Sequence, residues 1–448
     1  MLPCTCNKEV WDILLQKFNT RLRKEGKKED SHQLNEILTI RSDGIALLEG
    51  PIIKEFKFSK DGVKALELRK ALSEKNYSKE EIIQKIATTF KISSFQVDTF
   101  FRRVEKWIGS AEYRFIKSKP PIDEHLFNIP LLIQWEITAE CNLKCIHCYA
   151  NTDGAPASDE LTTEEIISFI NEYAVNGGRG IHFLGGEPFI RPDILHILKK
   201  SSELGLFSHV STNGTLITQE LANKLASLKR TTIDVSLDGV CPKSHDSFRG
   251  VKGTFDRVLH SLDLLREAGV TINVTTVLGK HNFTELEKLV ETAVDFGAKR
   301  IQFLTFSPVG RGSEAQKKYG FNEKQLKIVR KKIFDTIFEY WDIIYIDAPM
   351  IGCNPLALRT YEVLNFPGFE LYYDLLVGCN AGISKATIDF TGNVFPCPQV
   401  RKSFGNIRNE NFLTIWNNLH SFCLKNKVCS TKNCPLERYC GGKCRINS

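Results

Sequence analysis

The sequence predicts an α/β fold, a partial (β/α)6 barrel of the TIM type set between a small amino-terminal winged-helix-like domain and a cysteine-rich carboxyl-terminal domain. Three features carry this expectation. Strand-like runs alternate with helical patterns from residue 131 to 312, short β-type stretches followed by helices fill residues 1 to 110, and eight of the fourteen cysteines fall after residue 352. A chain of 448 residues exceeds one typical core, so several domains are expected.

In the first 110 residues, β-type stretches at "LTIRS", "IALLE" and "IIKEFKF" are separated by turn signals such as Ser42-Asp43-Gly44. Ser78 and Glu81 form a capping-box pattern ahead of Ile82, Ile83, Ile86 and Phe90. Val97, Phe100, Phe101, Val104, Trp107 and Ile108 then recur at helical spacing, as one buried stripe. A β-hairpin joined to short helices resembles a winged helix, and residues 35–109 resemble the PqqD-like peptide-recognition domain of ribosomal peptide maturases. That resemblance implies a site for the leader of a precursor peptide. A winged helix can also bind DNA through phosphate contacts, which leaves a second reading open. Residues 1 to 110 hold 21 Lys and Arg against 16 Asp and Glu, which suits an acidic partner or, equally, a solvated basic face.

Residues 111–130 read as a linker, because Pro120-Pro121 cannot continue a helix and lacks donors for a sheet. Strand-like runs follow at "LLIQWEIT", "GIHFL", "FSHVST", "TIDVSLD", "VTINVTTVL" and "RIQFLTF". A helical pattern follows each; in the first, Thr162 is the cap and Gly177 the stop. Such alternation implies a parallel sheet with right-handed crossovers and a ligand site at the carboxyl ends of the strands. Cys141 lies just past the first of those ends. Residues 313–350 read as a bridging helix and strand. From 351 to 448 the periodicity fades and cysteines crowd in, so metal centres are expected to hold that segment instead of a large core.

Hydrophobic content of 42% and charged content of 25% are ordinary for a soluble globular protein. The start "MLPCTCNKEV" lacks a signal-peptide pattern, and no apolar run approaches a membrane span, so a cytoplasmic, membrane-free location is expected. In a reducing compartment fourteen cysteines favour metal or cluster ligation over disulfides.

"CNLKCIHC" places Cys141, Cys145 and Cys148 within eight positions, three thiols where zinc and iron-sulfur clusters usually take four ligands. "GGEP" at 185–188, "SLDG" at 236–239 and "HDSFRGVKGTFDRV" from His245 follow in order. Together these motifs resemble radical S-adenosylmethionine (SAM) enzymes over residues 131–312. The resemblance implies that the three cysteines hold three irons of a 4Fe-4S cluster while SAM chelates the fourth. It implies further that Gly185 and Gly186 allow close backbone approach to the SAM amine, that Glu187 fixes that amine, and that Asn213, Ser236 and Arg249 make polar contacts with SAM. The fork of Arg249 suits a carboxylate. His147 takes the position beside the adenine and is not a metal ligand. Without the family, the glycines read as a plain turn and Arg249 as a structural ion pair.

Cys379, Gly392 and Cys397 resemble the opening of the SPASM domain of peptide-modifying radical SAM enzymes, and Cys429, Cys434, Cys440 and Cys444 continue it. Two departures stand out. The first gap of the later set is four residues where the family commonly has two, and no cysteine follows Cys444. With Cys4, Cys6 and Cys241 set aside, eleven cysteines remain, enough for the SAM cluster and two fully ligated auxiliary 4Fe-4S clusters only if Cys353 and Cys423 are ligands. By resemblance the first auxiliary cluster takes Cys353, Cys379, Cys397 and Cys444, and the second Cys423, Cys429, Cys434 and Cys440. An open iron on either cluster, or a zinc site in the tail, is the alternative.

The resemblance implies a radical SAM oxidoreductase in which a 5′-deoxyadenosyl radical removes a hydrogen atom and the auxiliary clusters accept the second electron of an oxidation. The expected product is a thioether, carbon-carbon or carbon-oxygen cross-link in a ribosomally made precursor peptide. An electron donor such as flavodoxin or ferredoxin is implied, and nucleic acid is not an expected partner. A sulfatase-maturase-like activity fits less well, because Pro398 stands where that group has Asp. A redox-sensing winged-helix DNA-binding protein would leave GGEP and SLDG unexplained. No general base can be read from the sequence.

Overall fold

In a computed structural model of the chain, residues 38–40, 45–48, 54–57, 71–91, 129–150, 154–340, 343–348 and 381–425 are described, with isolated positions between them. The chain divides into two compact units, one formed by residues 1–126, 355–379 and 427–448, the other by residues 127–354 and 380–426.

In the first unit β1 (Leu38–Ile40), β2 (Ile45–Leu48) and β3 (Lys54–Lys57) form an antiparallel sheet with β2 in the middle. Helix α1 (Lys79–Phe90) starts at the expected capping box: the Ser78 amide donates to Glu81 Oε2 at 2.8 Å and the Glu81 amide to Ser78 Oγ at 3.3 Å. Its buried face is Ile82, Ile86 and Ala87. Val97 and Phe101 of the aromatic stripe are also buried, with the Arg69 guanidinium 4.4 Å from the Phe101 ring centroid. Phe100, Val104, Trp107 and Ile108 lie outside the described residues.

The second unit carries the six expected strands, separated by one α-helix each except for two between β7 and β8. In chain order they are β4 (Leu132–Glu136), α2 (Thr163–Val175), β5 (Gly180–Leu184), α3 (Ile194–Glu203), β6 (Phe207–Thr212), α4 (Gln219–Ala226), β7 (Thr231–Ser236), α5 (Pro242–Arg249), α6 (Thr254–Glu267), β8 (Thr271–Leu278), α7 (Leu286–Asp295) and β9 (Arg300–Thr305). Next come α8 (Gly312–Tyr319), α9 (Glu323–Glu339), β10 (Tyr345–Asp347), β11 (Lys385–Ile388), β12 (Val394–Phe395) and α10 (Phe412–Lys425). The strands lie side by side in the order β10-β9-β8-β7-β6-β5-β4-β11-β12, parallel from β10 to β11, with β12 antiparallel at the end.

Alternation along each strand sorts side chains between two faces. Ile181, Phe183, Val210, Ile233, Val235, Val274, Ile301 and Phe303 are completely buried under the helices, whereas the inner face carries mostly polar side chains. Thr162 caps α2 through a full capping box with Glu165, and Gly177 follows the helix at φ 94°.

Residues 381–425 depart from the expectation of a segment without a sizeable core. Strand β11 pairs in register with β4, Lys385 opposite Leu132 and Ile388 opposite Trp135, and α10 buries Ile415, Trp416 and Leu419 completely. Four residues are too few to show a period, and the partner strand lies far upstream, so this pairing has no local signature. Arg408 ties the same segment to the barrel by donating to both carboxylate oxygens of Glu165 and to the carbonyls of Asp159 and Glu160.

Phe169 of α2 is the packing node between these parts, with ring centroids 5.0 Å from Trp135 on β4 and 4.9 Å from Phe412 on α10. Phe169→Ala is expected to cost about 3–5 kcal/mol, read as a lower denaturant midpoint with an unchanged slope.

Candidate cofactor site at the carboxyl ends of the strands

The loop after β4 carries Cys141, Cys145 and Cys148 and is held from three sides. From β5, the Gly186 amide donates to the Thr138 carbonyl at 2.8 Å and the Glu187 amide to the Glu140 carbonyl at 2.7 Å. From α5, the Phe248 carbonyl accepts from the Ile146 amide at 3.0 Å. From the loop after β9, the Arg311 amide donates to the Cys148 carbonyl at 3.0 Å, and its side chain to the carbonyls of Cys145 and Thr152. Among the described residues no three His, Cys, Asp or Glu converge as they would around one metal ion. A cubane differs in giving each thiolate its own iron, so its ligands need not converge.

Gly185 and Gly186 have a reason within the chain. Gly185 sits at φ 129°, and a Cβ there would lie 2.6 Å from the Thr138 carbonyl oxygen. A Cβ on Gly186 would overlap the Glu140 carbonyl oxygen. The close approach is therefore to the backbone of the cysteine loop. Glu187 is completely buried; its carboxylate accepts from Thr212 Oγ1 at 2.8 Å, the Asn213 amide at 2.7 Å and the Phe189 amide at 3.2 Å. Burial pushes this carboxyl up to about 7, against the pull of those donors. Asn213 donates to Asn142 Oδ1 at 2.8 Å, which joins the end of β6 to the cysteine loop. Ser236 is half-buried at the end of β7, opposite Thr275.

Arg249 is buried at the end of α5. Its Nη2 lies 2.6 Å from Asp238 Oδ2 and its Nη1 3.8 Å from Cys145 Sγ. Among the described residues its Nε meets no partner. Asp238, the acid of SLDG, was not singled out from sequence, although its motif was quoted; its Oδ1 accepts from the Val277 amide at 2.7 Å. His147 stacks on Phe248 with centroids 4.1 Å apart, and among the described residues its buried Nδ1 meets no partner. Burial holds this imidazole far below its ordinary value, hence neutral. The thiol of Cys141 is pushed up to about 11, and that of Cys145 is also raised, in both cases first by burial. A coordinated metal deprotonates such thiols outright.

Two further residues were not anticipated. Arg401, four positions after Cys397, donates to both oxygens of the buried Glu136 at 2.7 and 2.8 Å. Tyr149, next to Cys148, also hydrogen-bonds Glu136, whose carboxyl burial raises. Of the expected auxiliary ligands, Cys397 is half-buried in a turn bridged to Val400, and Cys423 is completely buried on α10 beside Gly382. Cys353, Cys379, Cys429, Cys434, Cys440 and Cys444 lie outside the described residues.

A parallel barrel whose strand ends gather three thiols, a glycine pair and a buried arginine with a spare donor defines a cofactor-dependent enzyme core. The comparisons specify it. Residues 135–293 match the radical SAM superfamily, and residues 379–445 match the SPASM iron-sulfur cluster-binding domain. The AdoMet-dependent heme synthase of Methanosarcina barkeri is 34% identical over 305 residues, 66% of this chain and 84% of that protein. The mycofactocin maturase MftC of Mycolicibacterium smegmatis is 28% identical, over 67% of this chain and 73% of its own. Streptococcus suis SuiB, solved with its precursor peptide SuiA, shares the fold with a TM-score of 0.64 at 19% identity, over 92% of this chain and 94% of its own. This chain belongs to the radical SAM superfamily. Its barrel binds SAM and a 4Fe-4S cluster, and its SPASM domain binds auxiliary iron-sulfur clusters. Three soft thiolates, a guanidinium nitrogen without a partner and a neutral stacked imidazole fit those groups. Among the described residues, no helix is long and apolar enough to cross a membrane.

Gly186→Ala, by pushing GGEP off the cysteine loop, is expected to slow 5′-deoxyadenosine formation by about 10²-fold, measured by chromatography of anaerobic reactions. Glu187 has a second consequence. Its folded pKa, about 7, lies above its ordinary 4.5, so the folded state holds the proton more tightly and stability from this group falls as pH rises between those values. Glu187→Gln is expected to flatten that fall, seen as the difference between the two melting curves across that window.

Proposed function

We propose that this enzyme installs an oxidative side-chain cross-link, as a thioether, carbon-carbon or carbon-oxygen bond, in a ribosomally made precursor peptide whose leader is bound by residues 35–109. The observation that carries the reading is the amino-terminal three-stranded antiparallel sheet. Among the described strands, β1 and β3 each pair only with β2, which suits addition of a peptide strand at an edge. Tethering the leader there would raise the concentration of the core peptide at the barrel. The excess of basic residues in this part suits an acidic leader.

Held at the three cysteines, the cluster and SAM would supply hydrogen-atom abstraction from an unactivated carbon, and auxiliary clusters would supply an acceptor for the second electron of the oxidation. The chain's own part is positioning. Arg249, fixed by Asp238, offers Nε to a carboxylate in a buried setting, where such a bond is strongest. The stacked His147 offers a flat neutral face, and the Glu187 hydrogen bonds hold GGEP in place. Ser236 and Asn213 stand at neighbouring strand ends, within reach of the same cofactor.

The 34% identity to a heme synthase supports a second reading, a porphyrin-type substrate. That match covers 66% of this chain and the match to MftC 67%, so the preference for the peptide rests on the amino-terminal sheet. The two part in one experiment: coexpression with any small peptide found encoded beside the gene, and incubation of the loaded enzyme with Fe-coproporphyrin III under reducing anaerobic conditions with flavodoxin or ferredoxin. Loss of about 2 Da per link from the peptide and an unchanged porphyrin mass are expected.

A further inference from the structure

The inner face of the barrel carries a polar row below the strand ends. Strand pairing sets Ser211 of β6, Asp234 of β7, Asn273 of β8 and Arg300 of β9 side by side. This row lies one two-residue step, about 6–7 Å, below Ser236 at the end of β7. Asp234 is 1% exposed and accepts from Asn273 Nδ2 at 2.7 Å and from Arg300 Nη2 at 2.8 Å. His182 Nε2 lies 2.7 Å from Ser211 Oγ and 3.9 Å from the Asp234 carboxylate.

Two features mark the row as a binding surface. Among the described residues Asn273 Oδ1, Arg300 Nε and His209 Nδ1 meet no partner, although their residues are only 0, 9 and 7% exposed. Buried polar atoms left unmet are costly, so a ligand or water must meet them. The charges, moreover, are already balanced. Arg300 pairs with Asp234 and reaches Asp347 at 3.8 Å, Lys385 lies close enough to depress both imidazoles, and burial keeps His182 and His209 neutral, pushed down to about 3 and about 4. The one cation of the row itself, Arg300, thus faces two carboxylates, which leaves it no surplus charge for an anion. Arg249 and Arg401, elsewhere on the strand ends, are likewise paired, with Asp238 and Glu136.

We propose that this row is a substrate subsite for an uncharged group that both donates and accepts hydrogen bonds, such as a peptide amide or a side-chain carboxamide, met by Asn273 Oδ1 and Arg300 Nε with His209 beside them. The inference deepens the peptide reading and, for its substrate class, rests on it. A substrate recognised here by carboxylates would need a cation that the row does not spare.

The test uses the cluster-loaded full chain carrying 13Cε1-histidine, with two probes of nearly equal size, acetamide and acetate. Acetamide is expected to shift the His209 and His182 resonances saturably, and acetate to leave them in place. Asn273→Leu, and separately Arg300→Lys, should weaken the acetamide response at least fivefold, with melting temperature separating loss of contact from loss of fold. A response to both probes alike overturns the preference for an uncharged group and with it the subsite, and a response to neither overturns it by showing that water alone meets these atoms. Neither probe is a precursor peptide, so that result leaves cross-linking standing. An enzyme that binds acetamide here yet leaves the precursor unmodified keeps the subsite and overturns the peptide reading.

Discussion

The buried ion pair between Asp238 and Arg249 is the contact on which the cofactor end of the barrel depends. Asp238 joins β7 to β8 through the Val277 amide, its own amide donates to His245 Nδ1, and its carbonyl accepts from Asn282. Arg249 carries that fixed position across to Cys145. Removing either partner would strand a charge away from water, which is far more damaging than the net worth of the pair. The pair thus serves position more than stability. It sets a guanidinium and a thiol against each other at the place where the cluster and SAM meet.

Around that pair the chain approaches itself unusually closely. The glycines of GGEP lie against the carbonyls of Thr138 and Glu140, Gly250 against that of Lys144, and Gly310 against that of Cys148. All four contacts fall on the loop that bears the three cysteines. A side chain at any of them would move that loop, so the glycines fix the cysteines by absence of bulk. The same economy separates the faces of the sheet: apolar side chains meet the helices, and hydrogen-bonding side chains turn inward to where chemistry takes place.

Much of this was legible in sequence because its signals are local. The six strands of the barrel carry apolar residues at alternate positions, Ser78 and Thr162 announce their helices through acids three residues on, and the three cysteines share one loop. Pairings across long separations left no such mark. Arg401 with Glu136, Arg408 with Glu165 and the short β11 beside β4 each join residues far apart in the chain. Arg249 was read as a cofactor contact, and the fold shows that two of its nitrogens are engaged by Asp238 and Cys145.

The sequence by itself determined the class of chemistry, since thiol spacing, GGEP and SLDG are short motifs whose residues must lie together whatever surrounds them. It also determined the strand-helix alternation, because periodicity is written residue by residue. Only the tertiary structure decided which strands are neighbours, and hence that Ser211, Asp234, Asn273 and Arg300 form one row with its charges cancelled. Register between strands is a property of the closed sheet. No single strand encodes it, because each row takes one residue from every strand and the spacing between those residues in the chain carries no period.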